Sequence, residues 1–210
     1  MNTSRFAVAA IACAIAGTLP AESVSSPNRQ SLAGTWYLHE EGNAVQLPMA
    51  MQVPGGVHSA LLQADRIPDP YFGKNELRTQ EVGRKDWCVE RSFKLDPRLL
   101  KCASVILRLE DVDTFCTISV NDHVVGATDN RFRRWDFEVR QYLQPGDNRI
   151  VGVFKSAENE SAARAKQYDH QFQISNVPWA KSIELIRKPQ CTGLRKRRSF
   201  FKGLRILHTG

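Results

Sequence analysis

The carboxylates of this sequence are densest at Glu110–Asp113, which reads EDVD. Cleavage of a glycosidic bond uses two carboxyl groups about 5–10 Å apart, one as the acid and the other as a base or nucleophile. Glu110 and Asp113 can be cast as such a pair. Short polar segments between strands, however, commonly use aspartates to accept hydrogen bonds from nearby backbone amides. The pattern favours a polar loop at this position.

Aromatic side chains are the second group with possible chemistry, because their flat faces stack on pyranose rings. The same rings pack equally well in a hydrophobic core, and for any single ring the core interpretation is preferred. Tyr71 and Phe72, in the proline-rich segment Ile67–Gly73, are the pair that we predict to be exposed. The aromatic residues considered are Trp36, Tyr37, Tyr71, Phe72, Trp87, Phe132, Trp135 and Trp179.

Three arginines follow one another closely near an acidic and an amide side chain. Arg131, Arg133 and Arg134 lie beside Asp129 and Asn130, and all of these groups can hydrogen-bond sugar hydroxyls. The favoured alternative is a solvated surface loop. We therefore assign no substrate-binding residue here.

Several kinds of site are not indicated by the sequence. It has no Gly-x-Ser-x-Gly elbow, no P-loop and no Gly-x-Gly-x-x-Gly. No histidine stands at metal-ligand spacing from another His or Cys, so we predict neither a metal nor a cofactor. A Cys–His nucleophile is not indicated either, because no local signature accompanies a cysteine. The histidines are His39, His58, His123, His170 and His208.

The cysteines do not predict a disulfide scaffold. Cys13 lies in the N-terminal apolar segment, and the other four include no Cys-x-x-Cys pair, so their pairing stays open. Cys116 alternates with Ile118 and Val120. We predict that it packs as a small buried hydrophobic residue.

The strands that must position these groups are predicted from a period of two. Val105, Leu107 and Leu109 alternate with polar residues, and side chains of a strand alternate between faces. About eight short strands separated by turns predict an all-β fold, an antiparallel jelly-roll sandwich with few short helices. The predicted strands are 35–38, 87–95, 104–110, 116–120, 124–125, 135–139, 149–154 and 182–187.

Turn chemistry and weak helical signals complete this pattern. Asn121-Asp122 predicts a tight hairpin, because both residues tolerate positive φ. Pro145–Asn148 predicts a turn before the next strand. A helical turn or two is expected at His58–Ala64, and Ser161–Gln167 is expected to be a surface excursion.

Composition and charge indicate a soluble domain with appendages. The chain has 42% hydrophobic and 24% charged residues and a net charge of +7. The excess is local, because residues 192–210 contain six Lys or Arg and no Asp or Glu, which leaves about +1 for the rest. A nearly neutral body predicts no nucleic-acid partner and fits an uncharged partner such as a sugar.

The N-terminus is typical of an export signal. Arg5 precedes the apolar segment Phe6–Leu19, and cleavage is expected after Ala21. Residues 1–21 are thus predicted to be a signal peptide and residues 22–31 a polar linker. A membrane anchor or a lipoprotein modified at Cys13 are the alternatives. We expect a periplasmic or secreted protein with no membrane contact after cleavage.

Several motifs in order resemble the N-terminal domain of β-mannosidases of glycoside hydrolase family 2. They cover residues 32–191, and this resemblance implies a galactose-binding-like jelly roll that supports a β-mannoside pocket. Its partner in the full-length parent is a β-mannoside carbohydrate. The segments that carry the resemblance are VPGGVHSALL (53–62), IPDPYFGKNE (67–76), DWCVERSF (86–93), LEDVDTFCTISVNDHVVGATDNRFRRWDFEV (109–139), PGDNRIVGVFKSA (145–157) and IRKPQC (186–191).

The sequence departs from the family after Cys191. In the family a Phe-Gly-Trp-Asp-Trp-Gly-Pro motif follows, whereas Thr192–Lys196 stands here, and the barrel that supplies both catalytic glutamates is missing. The resemblance therefore implies no catalytic residue in this chain, which is expected to be a truncated or frameshifted β-mannosidase without activity. Residues 192–210 are expected to lie outside the family pattern or to be disordered. The alternative function is a free-standing secreted module that binds mannans.

Overall fold

The computed structural model describes residues 29–43, 47–167 and 203–208, and in this part of the chain two antiparallel sheets face each other. The six-stranded sheet has the order β3-β2-β4-β9-β6-β7, and the four-stranded sheet has the order β1-β10-β5-β8. The strands are β1 (Arg29–Ser31), β2 (Gly34–Glu40), β3 (Met49–Val53), β4 (Trp87–Lys94), β5 (Val105–Glu110), β6 (Cys116–Val120), β7 (His123–Thr128), β8 (Trp135–Glu138), β9 (Asp147–Phe154) and β10 (Gly203–His208).

The helices are short and lie in the connections between strands. They are α1 (Val57–Gln63), α2 (Asn75–Thr79), α3 (Pro97–Leu100) and α4 (Ala157–Ala165), with 3₁₀ turns at Gln80–Arg84 and Arg140–Tyr142. The predicted helical turn at His58–Ala64 is thus confirmed as α1. The prediction of a surface excursion at Ser161–Gln167 is wrong in part, because most of this segment belongs to α4 and Ser161 is buried.

The core lies between the two sheets and follows the alternation of the strands. In β5 the burial pattern is strictly alternating, with Val105, Leu107 and Leu109 buried. Leu38 and Val89 face them from the six-stranded sheet and are fully buried. Each such side chain contributes about 1.5–3 kcal/mol when it leaves water. The predicted β-sandwich is therefore confirmed.

The hairpin between β6 and β7 has the predicted turn. Asn121 and Asp122 have φ values of 47° and 65°, and Val120 pairs with His123 across them. Asn121 also donates from Nδ2 to the Tyr142 carbonyl at 2.8 Å and accepts from the Arg149 amide at 2.8 Å. These bonds fix the turn to the neighbouring strand β9 and to the 3₁₀ turn at Arg140–Tyr142.

The predicted linker and tail both contribute to the four-stranded sheet, which corrects the sequence prediction. Arg29–Ser31, at the end of the predicted linker 22–31, form β1 and pair with β10. Residues 203–208, within the segment expected to lie outside the family pattern or to be disordered, form β10 between β1 and β5. Leu204 and Ile206 are buried, so a local period of two outweighs the basic composition of this segment.

Some predicted and observed strands do not correspond. The structure contains β3, which the sequence prediction omitted, with Met49, Met51 and Val53 buried on one face. The strand predicted at 182–187 lies outside the described residues. Among the described residues no helix has the length and apolarity that crossing a membrane requires.

Candidate functional site

A cluster of charged side chains lies where two loops meet at one end of the sandwich. The β5–β6 loop (111–115) and the β7–β8 loop (129–134) are joined by Arg131. Its Nε donates to Asp111 Oδ1 at 2.8 Å and its Nη1 to Asp113 Oδ2 at 2.9 Å. Partial burial alone would lower the pKa of Arg131, but the neighbouring Asp113 and Asp111 carboxylates raise it.

This arrangement engages Asp113 in hydrogen bonds that hold the loops together. Both oxygens of Asp113 accept hydrogen bonds, since Oδ1 also accepts from Thr114 Oγ1 at 2.7 Å. Glu110 ends β5 and stands opposite Gly203 of β10. The polar-loop interpretation agrees with this geometry.

Helix α4 closes the same end of the sandwich. The Arg164 guanidinium lies 4.2 Å from the centre of the Phe115 ring, and its Nη1 is 3.8 Å from Asp129 Oδ2. A cation over an aromatic face is attracted by the ring quadrupole. These contacts tie α4 to both loops, which sequence analysis missed because it treated this region as a surface excursion.

The side chains of the arginine-rich β7–β8 loop contact residues of the same loop and of the adjoining strand β8. The Arg133 guanidinium lies 4.6 Å from the Trp135 ring centre, and Arg134 Nε is 3.8 Å from Asp136 Oδ2. Asn130 Oδ1 accepts from the Phe132 amide at 2.9 Å. In the same loop, Phe132 is 73% exposed.

The aromatic residues divide between core and surface. Trp36 and Trp87 are core residues, and their indole nitrogens donate to backbone carbonyls of Leu32 and Val82. The predicted exposed pair is confirmed, because Tyr71 is 70% and Phe72 77% exposed. Tyr37 is half-exposed on the sheet and Trp135 is partly buried. Trp179 lies outside the described residues.

Three carboxyl groups of the described residues have lowered pKa values. Arg98 lowers the pKa of Asp96, and a hydrogen bond from Arg108 lowers the pKa of Asp136. Partial burial alone would raise the pKa of Glu138, but hydrogen bonds from Ser104 Oγ and three backbone amides lower it. A glycosidase acid needs a raised pKa. Each clearly shifted carboxyl in the described residues is shifted downward.

A separate cluster on the six-stranded sheet contains three groups that can ligate a metal. One ring nitrogen of His39, a carboxylate oxygen of Glu41 and Cys88 Sγ all lie within 4.8 Å of one another. His39 and Cys88 are paired across β2 and β4. A search for metal ligands at short sequence spacing does not find this cluster, because Cys88 is far from His39 and Glu41 in the sequence.

Comparison with known families places most of the chain in one domain type. Residues 36–193 match the family described as glycosyl hydrolase 2 galactose-binding domain-like. Among curated relatives, the β-mannosidase of Capra hircus is 32% identical over 167 residues, which cover 77% of this chain and 19% of that protein. β-Mannosidase B of Thermothelomyces thermophilus is 35% identical over 111 residues, or 53% of this chain and 13% of that protein.

Solved structures give the same fold. The β-D-mannosidase of Dictyoglomus thermophilum aligns with a TM-score of 0.70 and 26% identity, over 86% of this chain and 22% of that one. The exo-chitosanase of Amycolatopsis orientalis aligns with a TM-score of 0.54 and 13% identity, over 61% and 16%, which supports the fold alone. This chain spans about a fifth of the length of the curated relatives that it matches over most of its own length.

Proposed function

This chain belongs to the family of glycosyl hydrolase 2 galactose-binding-like domains, and we propose that it serves as the N-terminal carbohydrate-binding-like domain of a β-mannosidase-type hydrolase. The proposed substrate of the parent enzyme is a terminal β-mannoside. The observation that carries this proposal is the alignment of 86% of the chain with a β-D-mannosidase at a TM-score of 0.70. A shared fold alone does not confer activity.

We propose further that this chain does not hydrolyse glycosides by itself. Two carboxyl groups are needed, one of them protonated at working pH. At the loop cluster, Asp111 and Asp113 both accept hydrogen bonds from Arg131. This supports a role in holding the loops rather than in transferring a proton.

An assay with an aryl β-mannoside tests this proposal. The purified 210-residue protein is expected to release no aryl alcohol above the buffer rate. A β-mannosidase such as that of Dictyoglomus thermophilum serves as the positive control under the same conditions. Turnover that survives a second purification step and scales with the concentration of this protein would contradict the proposal.

A second candidate function is binding of mannans as a free-standing module. The exposed Tyr71 and Phe72 favour it, because aromatic rings held outside the core are available to stack on sugars. Calorimetric titration with manno-oligosaccharides tests it. A module gives saturable heat that disappears in Tyr71→Ala/Phe72→Ala and persists in the control Tyr37→Ala, which removes an exposed ring from the sheet.

We also propose that the protein is exported, as expected from residues 1–21. The intact mass of the protein recovered from the cells tests this directly. Cleavage after Ala21 gives a chain that begins at Glu22, whereas recovery of the uncleaved chain in the cytosol contradicts export.

A further inference from the structure

We propose that His39, Glu41 and Cys88 form a binding site for a zinc-like divalent transition metal. These three residues bring a nitrogen, an oxygen and a sulfur ligand together, each within 4.8 Å of the others. Imidazole, carboxylate and thiolate are the ligands by which proteins bind Zn²⁺. The site shares no residue with the cluster around Arg131 and has no part in the function proposed above.

The strand register fixes two of the ligands. His39 of β2 stands directly opposite Cys88 of β4, so their side chains share one face of the sheet. This is the outer face, because the neighbouring residues Leu38 and Val89 point into the core. Two metal ligands on adjacent strands of a sheet are held with little freedom, which lowers the cost of ordering them around an ion.

The third ligand is held close by the backbone. Glu41 follows β2 directly, and its amide donates to the Asp86 carbonyl at 3.0 Å. This bond keeps Glu41 beside the start of β4, where Cys88 lies. The Glu41 side chain is exposed, so it is free to rotate toward the other two ligands.

The distances suit a tetrahedral ion after a small adjustment. With metal–ligand bonds of about 2.0–2.3 Å, tetrahedral geometry places neighbouring ligand atoms about 3.3–3.6 Å apart. Side-chain rotations that shorten these separations, each at most 4.8 Å, supply the required approach. The fourth position remains for water, since the protein contributes three ligands.

A second observation supports His39 as a metal ligand. Its Nδ1 is buried and has no hydrogen-bond partner among the described residues. Buried polar atoms in proteins are nearly always paired, and an exception calls for an explanation. Cys88, although on the outer face of the sheet, is only 4% exposed and is not in a disulfide. The cluster thus combines shielded nitrogen and sulfur ligands with an accessible oxygen ligand.

Coordination replaces the S–H bond of Cys88 with a metal–sulfur bond. The thiol proton passes to the buffer, and no electron is transferred. Zn²⁺ is the expected ion, because mixed nitrogen, oxygen and sulfur ligands in tetrahedral geometry suit it.

Cobalt substitution tests the site with the full chain, kept reduced with a phosphine. Co²⁺ is expected to give a thiolate-to-metal charge-transfer absorption that saturates at one equivalent and is bleached by Zn²⁺. Cys88→Ser is expected to lose this absorption, whereas the matched control Cys102→Ser keeps it. An absorption that persists in Cys88→Ser, or its absence from the wild-type protein at saturating Co²⁺, overturns the proposal.

Two further variants keep the test independent of any folding defect in Cys88→Ser. Glu41→Gln changes an exposed side chain and is expected to weaken Zn²⁺ binding at least tenfold in a competition titration. His39→Asn is expected to do the same, while the control His123→Asn binds as the wild type does. Wild-type affinity in Glu41→Gln or His39→Asn contradicts the three-ligand site.

Discussion

At the scale of single residues, charge pairs on the outer face of the four-stranded sheet determine part of the stability. Arg205, Arg108 and Asp136 stand side by side on β10, β5 and β8. Two arginines directly opposite each other repel. Asp136 offsets this, because it accepts two hydrogen bonds from Arg108, at 2.7 and 2.8 Å.

Asp136→Asn is therefore expected to lower the free energy of unfolding by about 1 kcal/mol at neutral pH. The hydrogen bond from Arg108 lowers the pKa of Asp136 in the folded state below the ordinary value of 3.8. The contribution of this carboxylate is thus full above pH 3.8 and is lost as the pH falls through the lower folded-state pKa. Urea unfolding at several pH values measures the difference, which must shrink in acid; a constant difference contradicts the account.

The ion pairs of Arg131 with Asp111 and Asp113 are a second contribution of single residues to stability. Arg131→Met leaves Asp111 and Asp113 close together without their counter-charge, so we expect a loss of about 2 kcal/mol in the free energy of unfolding. The control is Arg133→Met, which removes the contact with the Trp135 ring and is expected to cost about 0.5–1 kcal/mol. Equal losses in both variants, measured by urea unfolding, contradict a bridging role for Arg131.

At the scale of elements, β10 determines how the four-stranded sheet is completed. Its Ile206 is 1% exposed, whereas the neighbouring Leu207 is partly exposed on the other face. Ile206→Ala is expected to cost about 2–4 kcal/mol because it leaves a cavity between the sheets. Leu207→Ala is the matched control and is expected to cost less than about 1 kcal/mol. Thermal and urea unfolding compare the two, and equal effects would show that β10 does not occupy this place.

The two sheets approach each other closely where Gly126 of β7 meets Phe137 of β8. A Cβ atom on Gly126 would lie 2.1 Å from Phe137 Cε1. Gly126→Ala is therefore expected to destabilise the fold by about 1–3 kcal/mol. Gly83→Ala is the control, because nothing lies within 4 Å of the added atom.

A second substitution distinguishes a clash from a backbone effect. Combining Gly126→Ala with Phe137→Leu removes the ring that the added methyl group meets. We expect the double variant to be more stable than the sum of the two single changes predicts. Simple additivity in urea unfolding contradicts the close approach of these two residues.

The elements that could be predicted from the sequence are those that a few consecutive residues determine. The hairpin at Asn121-Asp122 followed from turn chemistry, and β5 followed from strict alternation. β10 was missed because its charge was weighed above the alternation of Leu204 and Ile206. β3 was missed although Met49, Met51 and Val53 alternate in the same way.

The candidate sites depend on contacts between distant segments, which sequence patterns do not carry. Arg131 and Asp111 belong to different loops and meet only because β5 and β8 are neighbours. The His39–Cys88 pair follows from the register of β2 and β4. The exposed Tyr71–Phe72 pair was predictable, since a proline-rich loop offers no strand to bury it.

At the scale of the whole molecule, the sandwich includes a strand, β10, whose residues follow the segment that matches the family. The match ends at residue 193, whereas β10 begins at Gly203 and pairs with β5 inside the domain. A strand between β1 and β5 satisfies backbone groups of both neighbours, which would otherwise form open edges. The fold of the described residues thus uses sequence from outside the matched segment.

The proposal that this chain does not hydrolyse glycosides also belongs to the scale of the whole molecule. The chain aligns with 22% of a β-D-mannosidase, and the described residues form one sandwich with its loops. A hydrolase needs an acid and a second carboxylate placed across a bound sugar. The loop cluster instead engages its aspartates with Arg131.

The most direct test is the hydrolysis of an aryl β-mannoside by the purified chain, compared with Asp113→Asn at equal concentration. We predict that neither protein releases product above the rate of buffer alone, while a β-mannosidase control does. Release of product by the wild-type chain that is abolished in Asp113→Asn, with the variant still folded, would contradict the central claim that this domain is not itself a catalyst.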